Sequence, residues 1–324
     1  MQYVEFKDDE KAVLKQVGNK YAECSGMTQE DREFLNAMVL RYKPQKILEL
    51  GVAGGSSSVI ILNAIKDIED SHLYSIDYAD TFFADKTKKA GYIVDEYSYL
   101  KDKWTFFHPG MAYNYMEKIG GDIDFCFIDT VHKNPGELLD FLMVLPFLKK
   151  NCVVLFHDVN LHQYVNEDIK ITNNLLMSTV RGQQIVPVKY QDYFANISGV
   201  ILDDDIKEHV WEIFNLLCLK WQYFPSDSEL LELVAFFEKY YSKKYIDMFK
   251  NIIKYQKEKI LHEQHFAQIV KKQKWYMFKY SFYSVLVKLF GGHLKEKFQQ
   301  KKIKYAKFKD LNAYKFGNLY ARNK

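Results

Sequence analysis

The chain has 324 residues, of which 48% are hydrophobic and 27% charged, and a formal net charge of +3. That balance can build cores for about two domains of ~150 residues each, and it excludes global disorder, a collagen-like repeat and a disulfide scaffold. No apolar run reaches the ~18 residues of a membrane-crossing helix, and the charged start MQYVEFKDDEKAVLKQ lacks the apolar centre of a signal peptide, so a cytoplasmic protein is expected.

In chain order, Thr28 and Asp31 have the spacing of a capping box and open a helix that Lys43-Pro44 stops after Tyr42. KILEL (46–50), HLYSID (72–77), KWTFFH (103–108), DIDFCFID (122–129) and CVVLFHD (152–158) read as five strands, with helices between them that include 57–68 and 135–149. Several of these runs are apolar throughout, as strands covered on both faces are. IVPVKY (185–190) and ISGVILD (197–203) add a closing strand pair. The pattern predicts an α/β fold, a doubly wound and mostly parallel seven-stranded sheet that ends near Asp205. The expected division is therefore a sheet domain over 1–205 and a helical region over 206–324. In that region the spacing predicts a helix over 206–222, a second capped by Ser226 or Ser228, and a long run from Tyr245 that Gly291-Gly292 breaks.

Cys24, Cys126, Cys152 and Cys218 are far apart and form no CxxC pair, which argues against a zinc or redox centre. Cys126 and Cys152 sit in apolar runs and are expected to be buried thiols. Charge is distributed unevenly. Residues 250–324 carry 19 basic and four acidic side chains, net +15, which leaves −12 on residues 1–249. Fifteen of those last 75 residues are aromatic. Such a basic, aromatic-rich region could contact a membrane surface peripherally, answer the phosphates of a nucleotide-linked acceptor, or pack against the sheet domain or a second subunit of a homo-oligomer. No nucleic-acid-binding motif is present, and nucleic acid is not an expected partner.

The stretch Ile47-Leu-Glu-Leu-Gly51-Val-Ala-Gly-Gly55-Ser-Ser-Ser58 ends a strand, turns on glycines and opens a helix. Bare backbone and free N–H groups at such a turn suit an anionic ligand. The spacing is not that of a dinucleotide fingerprint, and no lysine makes it a Walker A loop. It resembles motif I, ExGxGxG, of the class I S-adenosylmethionine-dependent methyltransferases, with Glu49, Gly51, Ala53 and Gly55 in the motif positions. The resemblance implies a Rossmann-like methyltransferase fold and S-adenosylmethionine as cofactor. By it, Glu49 supports the cofactor's amino group, Gly51 and Gly55 let the turn pass beneath it, and Ser57 binds its carboxylate. Asp77 would take the ribose hydroxyls, and Gly110-Met111 falls where the family places residues beside the adenine.

Asp129-Thr-Val-His132 and His157-Asp158 close the fourth and fifth strands, and the carboxyl ends of parallel strands share one crevice. This pair of motifs resembles the metal-dependent O-methyltransferases, in particular the branch of macrolide-sugar O-methyltransferases and cephalosporin-hydroxylase-like proteins. Carried over residue by residue, Asp129, His157 and Asp158 are implied ligands of one divalent metal, and His132 is the implied catalytic base. Asp129 also borders the cofactor. Magnesium is the expected metal, while an imidazole where the family has glutamate would suit manganese or iron. The function so implied is transfer of a methyl group from S-adenosylmethionine to the hydroxyl of a small-molecule acceptor. That acceptor is expected to be a sugar or nucleotide sugar for a capsule or other surface polysaccharide. Two alternatives stay open: a hydroxylase on the same scaffold, and a non-catalytic scaffold at the inner face of the membrane.

Overall fold

The computed structural model describes residues 1–24, 26–164, 171–188 and 195–306. Two compact units divide the chain, Met1–Ile252 and Ile253–Lys324. The first is built on one eight-stranded sheet. In chain order its strands are β1 (Gln2–Val4), β2 (Lys46–Leu50), β3 (His72–Ile76), β4 (Trp104–Phe107), β5 (Ile123–Ile128), β6 (Leu148–His157), β7 (Gly182–Pro187) and β8 (Ile197–Leu202). They lie side by side as β1-β7-β8-β6-β5-β2-β3-β4. All neighbours run parallel except β8, which is antiparallel to β6 and β7. The α/β sheet is doubly wound, as expected, with one strand more than the seven predicted. The addition, β1, is three residues beside charged neighbours and shows no alternation that would reveal it.

Strand order reverses between β2 and β5, the switch point at which such sheets bind ligands. Register fixes what meets there. Leu50 pairs with Ile76 and with Ile128, and Ile128 pairs with Phe156. The next residues, Gly51, Asp77, Asp129 and His157, therefore stand in one row along the carboxyl edge. Backbone bonds lock that row. Gly51 N–H donates to the Ile76 carbonyl, Asp129 N–H to Leu50 and Asp77 N–H to Phe107.

The strands of the centre are apolar because helices cover both faces; Ile47, Leu48, Phe125, Phe127, Val154 and Leu155 are all fully buried. Thr28 caps the helix Gln29–Tyr42, Asp31 returns the bond to the Thr28 N–H, and Lys43 ends it in the left-handed region. The helix after β2 spans Ser56–Ile65, shorter than the predicted 57–68. Another covers Gly136–Val144 rather than 135–149, because Pro146 cannot donate to a further turn and Leu148 already starts β6. The expected helix over 206–222 is reduced to Trp211–Leu216 after a short 3₁₀ turn. Asn134 explains the loss: its side-chain amide donates to the Leu219 and Lys220 carbonyls and its own carbonyl accepts from the Gln222 N–H, which takes these groups out of helical pairing. Ser226 caps Asp227–Tyr240. Residues 189 and 190 of the expected strand 185–190 lie outside the described residues.

The first unit runs to Ile252 and takes in, after the last strand ends at Leu202, the helices Trp211–Leu216 and Asp227–Tyr240. The second unit continues the 47-residue helix Lys243–Leu289 and, after Gly291, holds the helix Gly292–Ala306; the break at the glycine pair falls where the sequence puts it. No helix among the described residues is long and apolar enough to cross a membrane.

Candidate active site

A cavity of about 830 Å³ opens along the carboxyl edge. Its floor is the turn after β2. Gly51 holds φ +87°, and a Cβ there would lie 1.7 Å from the Asp129 carbonyl oxygen, so only glycine lets β2 and β5 end side by side. Ala53 sits at φ +48°, a conformation that favours the glycine usual at this motif position. Asp77 organises the turn from the next strand: its Oδ2 accepts the Val52 and Ala53 N–H groups at 2.9 Å each, and its Oδ1 accepts Ala79 N–H. Gly51, Ser57, Asp77, Gly110, Met111 and Asp129 all line the cavity.

Two expected cofactor residues do not. Gly55 packs away from it, with its Cα face 3.2 Å from the Gly91 backbone as measured to a would-be Cβ; it serves close packing rather than contact. Glu49 is fully buried beneath the turn. Its carboxyl accepts the hydroxyls of Ser57, Ser58 and Ser75 at 2.6 Å each, and Ser75 in turn accepts the Trp104 indole N–H. Burial pushes Glu49 up to about 7, against those three donors. It braces the turn from below and has no surface with which to meet a ligand directly.

At the other end of the cavity, four carboxylates and two imidazoles meet. His132 Nε2 lies 2.9 Å from Asp158 and 3.6 Å from Asp129, and its Nδ1 faces Glu137 at 3.2 Å. His157 Nδ1 stands 3.4 Å from both Asp129 and Asp158, while its Nε2 is 3.5 Å from Asp31. Asn196 donates to Asp158 Oδ1 and holds that carboxylate in place. Burial disfavours charge on His132, but Asp158, Glu137 and Asp129 outweigh it and lift the imidazole to about 10. His157 is raised by its carboxylates in the same way, and Asp158, despite burial, is held well below the usual range by the two histidines. His132 (φ +50°) and Asp158 (φ +58°) both take left-handed backbone, a strain that folds tolerate at functional sites.

The donor atoms of Asp129, His132 and Asp158 all come within 4.8 Å of one another. His157 was expected in that set and is not in it: its ring is 3% exposed and shared with Asp31, on the capped helix. Both its nitrogens are buried with no well-formed hydrogen bond, held by charge alone. Mixed carboxylate and imidazole donors suit a divalent cation, and the surplus of carboxylates supplies negative charge that such an ion would neutralise. The residues present therefore fit a metal, and the bare turn with Asp77 fits an S-adenosyl cofactor.

Sequence reasoning placed Asp31 only as a cap and did not find Glu137, Tyr223, Phe224, Pro225 or Glu229. The last four wall the cavity from beyond Asp205. Glu137, five residues after His132, was the one with a local signal.

Residues 48–159 match the family model of a methyltransferase domain. No curated protein matches the sequence. Among solved structures, the O-methyltransferase from Bacillus cereus in complex with SAH is 17% identical, covering 61% of this chain and 92% of that one at a TM-score of 0.42. TomG from Streptomyces achromogenes, an O-methyltransferase involved in tomaymycin synthesis, in complex with SAM, is 15% identical over 62% and 92%, at 0.42. The SAH-bound Podospora anserina methyltransferase PaMTH1 is 14% identical over 63% and 100%, also at 0.42.

Proposed function

We propose that this protein is a metal-dependent O-methyltransferase whose acceptor is a sugar hydroxyl with a neighbouring oxygen, carried on a free or nucleotide-linked sugar for a surface polysaccharide. One observation carries the reading: the glycine turn and the Asp129–His132–Asp158 cluster open into the same cavity. Its volume lies near the top of the roughly 300–1,000 Å³ range of ligand pockets, which leaves room for a cofactor and an acceptor together.

S-adenosylmethionine would supply an activated methyl group. The turn from Gly51 to Ser57, with Asp77, Gly110 and Met111, would hold that molecule. A divalent cation held by Asp129 and Asp158 would supply the positive charge that acidifies a chelated hydroxyl. With a cation on Asp129 and Asp158, the charge that keeps His132 protonated would be neutralised, and the ring, once neutral, would accept the hydroxyl proton at Nε2, the nitrogen that faces the two aspartates, while Glu137 holds Nδ1 and fixes the ring. His157 positions the aspartates from behind. The catalytic machinery belongs to the expected domain 1–205, and Tyr223, Phe224 and Pro225 close it off from water.

The mutual reach of all three donors favours a second reading, in which His132 is itself a ligand. His132→Ala separates the two. As base, its loss leaves manganese and S-adenosylmethionine affinities unchanged and lowers turnover by ~10²–10⁴; as ligand, manganese affinity falls as well. Full turnover in His132→Ala, with cofactor and metal bound, contradicts both. The acceptor is found by incubating nucleotide sugars with S-adenosylmethionine and magnesium, manganese or iron, then locating the new methyl by NMR. Oxygen uptake without cofactor would instead favour a hydroxylase, and absence of any S-adenosylmethionine binding a scaffold.

A further inference from the structure

The second unit carries an apolar stripe that touches its return helix only at one end, where Trp275 meets the Tyr305 ring at 6.2 Å. Trp275, Phe278, Phe282, Val285 and Leu289 recur at steps of three and four along the helix Lys243–Leu289, so they share one face. They are between 47% and 71% exposed. The helix already has a partner on the other side. Tyr276 and Tyr283 meet Tyr305 of the helix Gly292–Ala306 at ring separations of 5.8 Å, and Tyr283 also meets Phe298. Lys302 lies over the Tyr280 ring and Lys301 over Tyr283. These tyrosines stand opposite the stripe at 100° per residue, so beyond Trp275 the return helix leaves Phe278, Phe282, Val285 and Leu289 exposed.

Charge selects what it binds. Residues 264–295 contain six lysines and no acid. Lys274 and Lys288 flank the stripe on one side and Lys279 on the other, with the Lys279 ammonium 5.1 Å from the Trp275 ring. The stripe has heptad spacing, yet the charged neighbours at the positions that pair across a coiled coil, Lys274, Lys279 and Lys288, are all lysines with no glutamates to answer them. A second copy would set lysine against lysine. An aromatic and aliphatic stripe rimmed by lysine is instead the composition of a helix lying in a lipid headgroup layer.

We propose that this face docks on the surface of an anionic phospholipid bilayer, with Phe278, Phe282, Val285 and Leu289 among the acyl chains and the lysines at the phosphates. The helix lies on the membrane and does not cross it. The proposal is independent of the methyl-transfer reading and is tested without turnover. The full chain is sedimented with phosphatidylglycerol vesicles and with phosphatidylcholine vesicles. Binding is expected to the first, weakened by salt and by Lys274→Glu with Lys279→Glu, and lowered on the order of tenfold by Phe278→Ser with Phe282→Ser. All four side chains are on the surface, so both variants fold, and an unchanged melting temperature checks this. Equal binding to neutral vesicles, binding untouched by the phenylalanine pair, or no vesicle binding beside a dimer that Phe278→Ser with Phe282→Ser dissociates, overturns it. Binding of RNA in preference to vesicles, through the same lysines, does so too.

Discussion

Asp77 shows how one side chain can both line a binding surface and build it. The carboxylate spans from β3 to the turn after β2 and takes two consecutive backbone N–H groups. Asp77→Ala leaves both donors without a partner, at about 1–3 kcal/mol each when buried. We expect S-adenosylmethionine affinity, read by titration calorimetry, to fall at least tenfold while the fold survives. Glu49 yields a second prediction. Its carboxyl ionises near 4.5 when unfolded and is raised to about 7 in the fold, so between those values the folded state binds the extra proton. Its contribution is present in full below pH 4.5 and is lost as pH rises through about 7, amounting to about 3 kcal/mol. Denaturant melts across that window should show Glu49→Gln gaining stability relative to the natural chain as pH rises. A constant difference would place the proton elsewhere.

At the scale of elements, the turn depends on what its neighbours leave room for. Gly51→Ala drives a Cβ into the Asp129 carbonyl and imposes a left-handed conformation on alanine; a loss of several kcal/mol is expected in thermal melts. Thr28→Ala removes a reciprocal cap for about 1 kcal/mol. It also loosens Asp31, whose carboxylate faces His157, so cofactor binding should hold while metal affinity weakens. Much of this level was legible in the sequence. Five parallel strands and the capped helix 29–42 follow from apolar runs and cap residues, because both signals are local. The failures are non-local. β1 exists only because β7 offers an edge, and the helix expected over 206–222 yields to Asn134, some 85 residues earlier. Glu49 carries the motif position but faces inward, since three serines from two elements converge on it. His157 reads as a ligand by its place beside Asp158, and only packing shows that its second nitrogen faces Asp31.

For the whole molecule, the sheet gathers distant segments into one cavity. Gly51, Asp77, Asp129 and His157 come from four stretches of chain, and the row they form is a consequence of parallel register at a switch point. The carboxylate surplus at that edge is costly to leave uncompensated. A bound divalent cation should therefore raise the melting temperature of the protein, and chelator should lower it, by several degrees.

The central claim is that Asp129 and Asp158 hold a divalent cation beside the cofactor turn. Calorimetric titration of manganese into the full chain, compared with Asp158→Ala, tests it most directly. One site per chain is expected, weakened at least tenfold in the variant while S-adenosylmethionine still binds. Manganese binding of equal strength in both proteins, or in neither, would contradict the account.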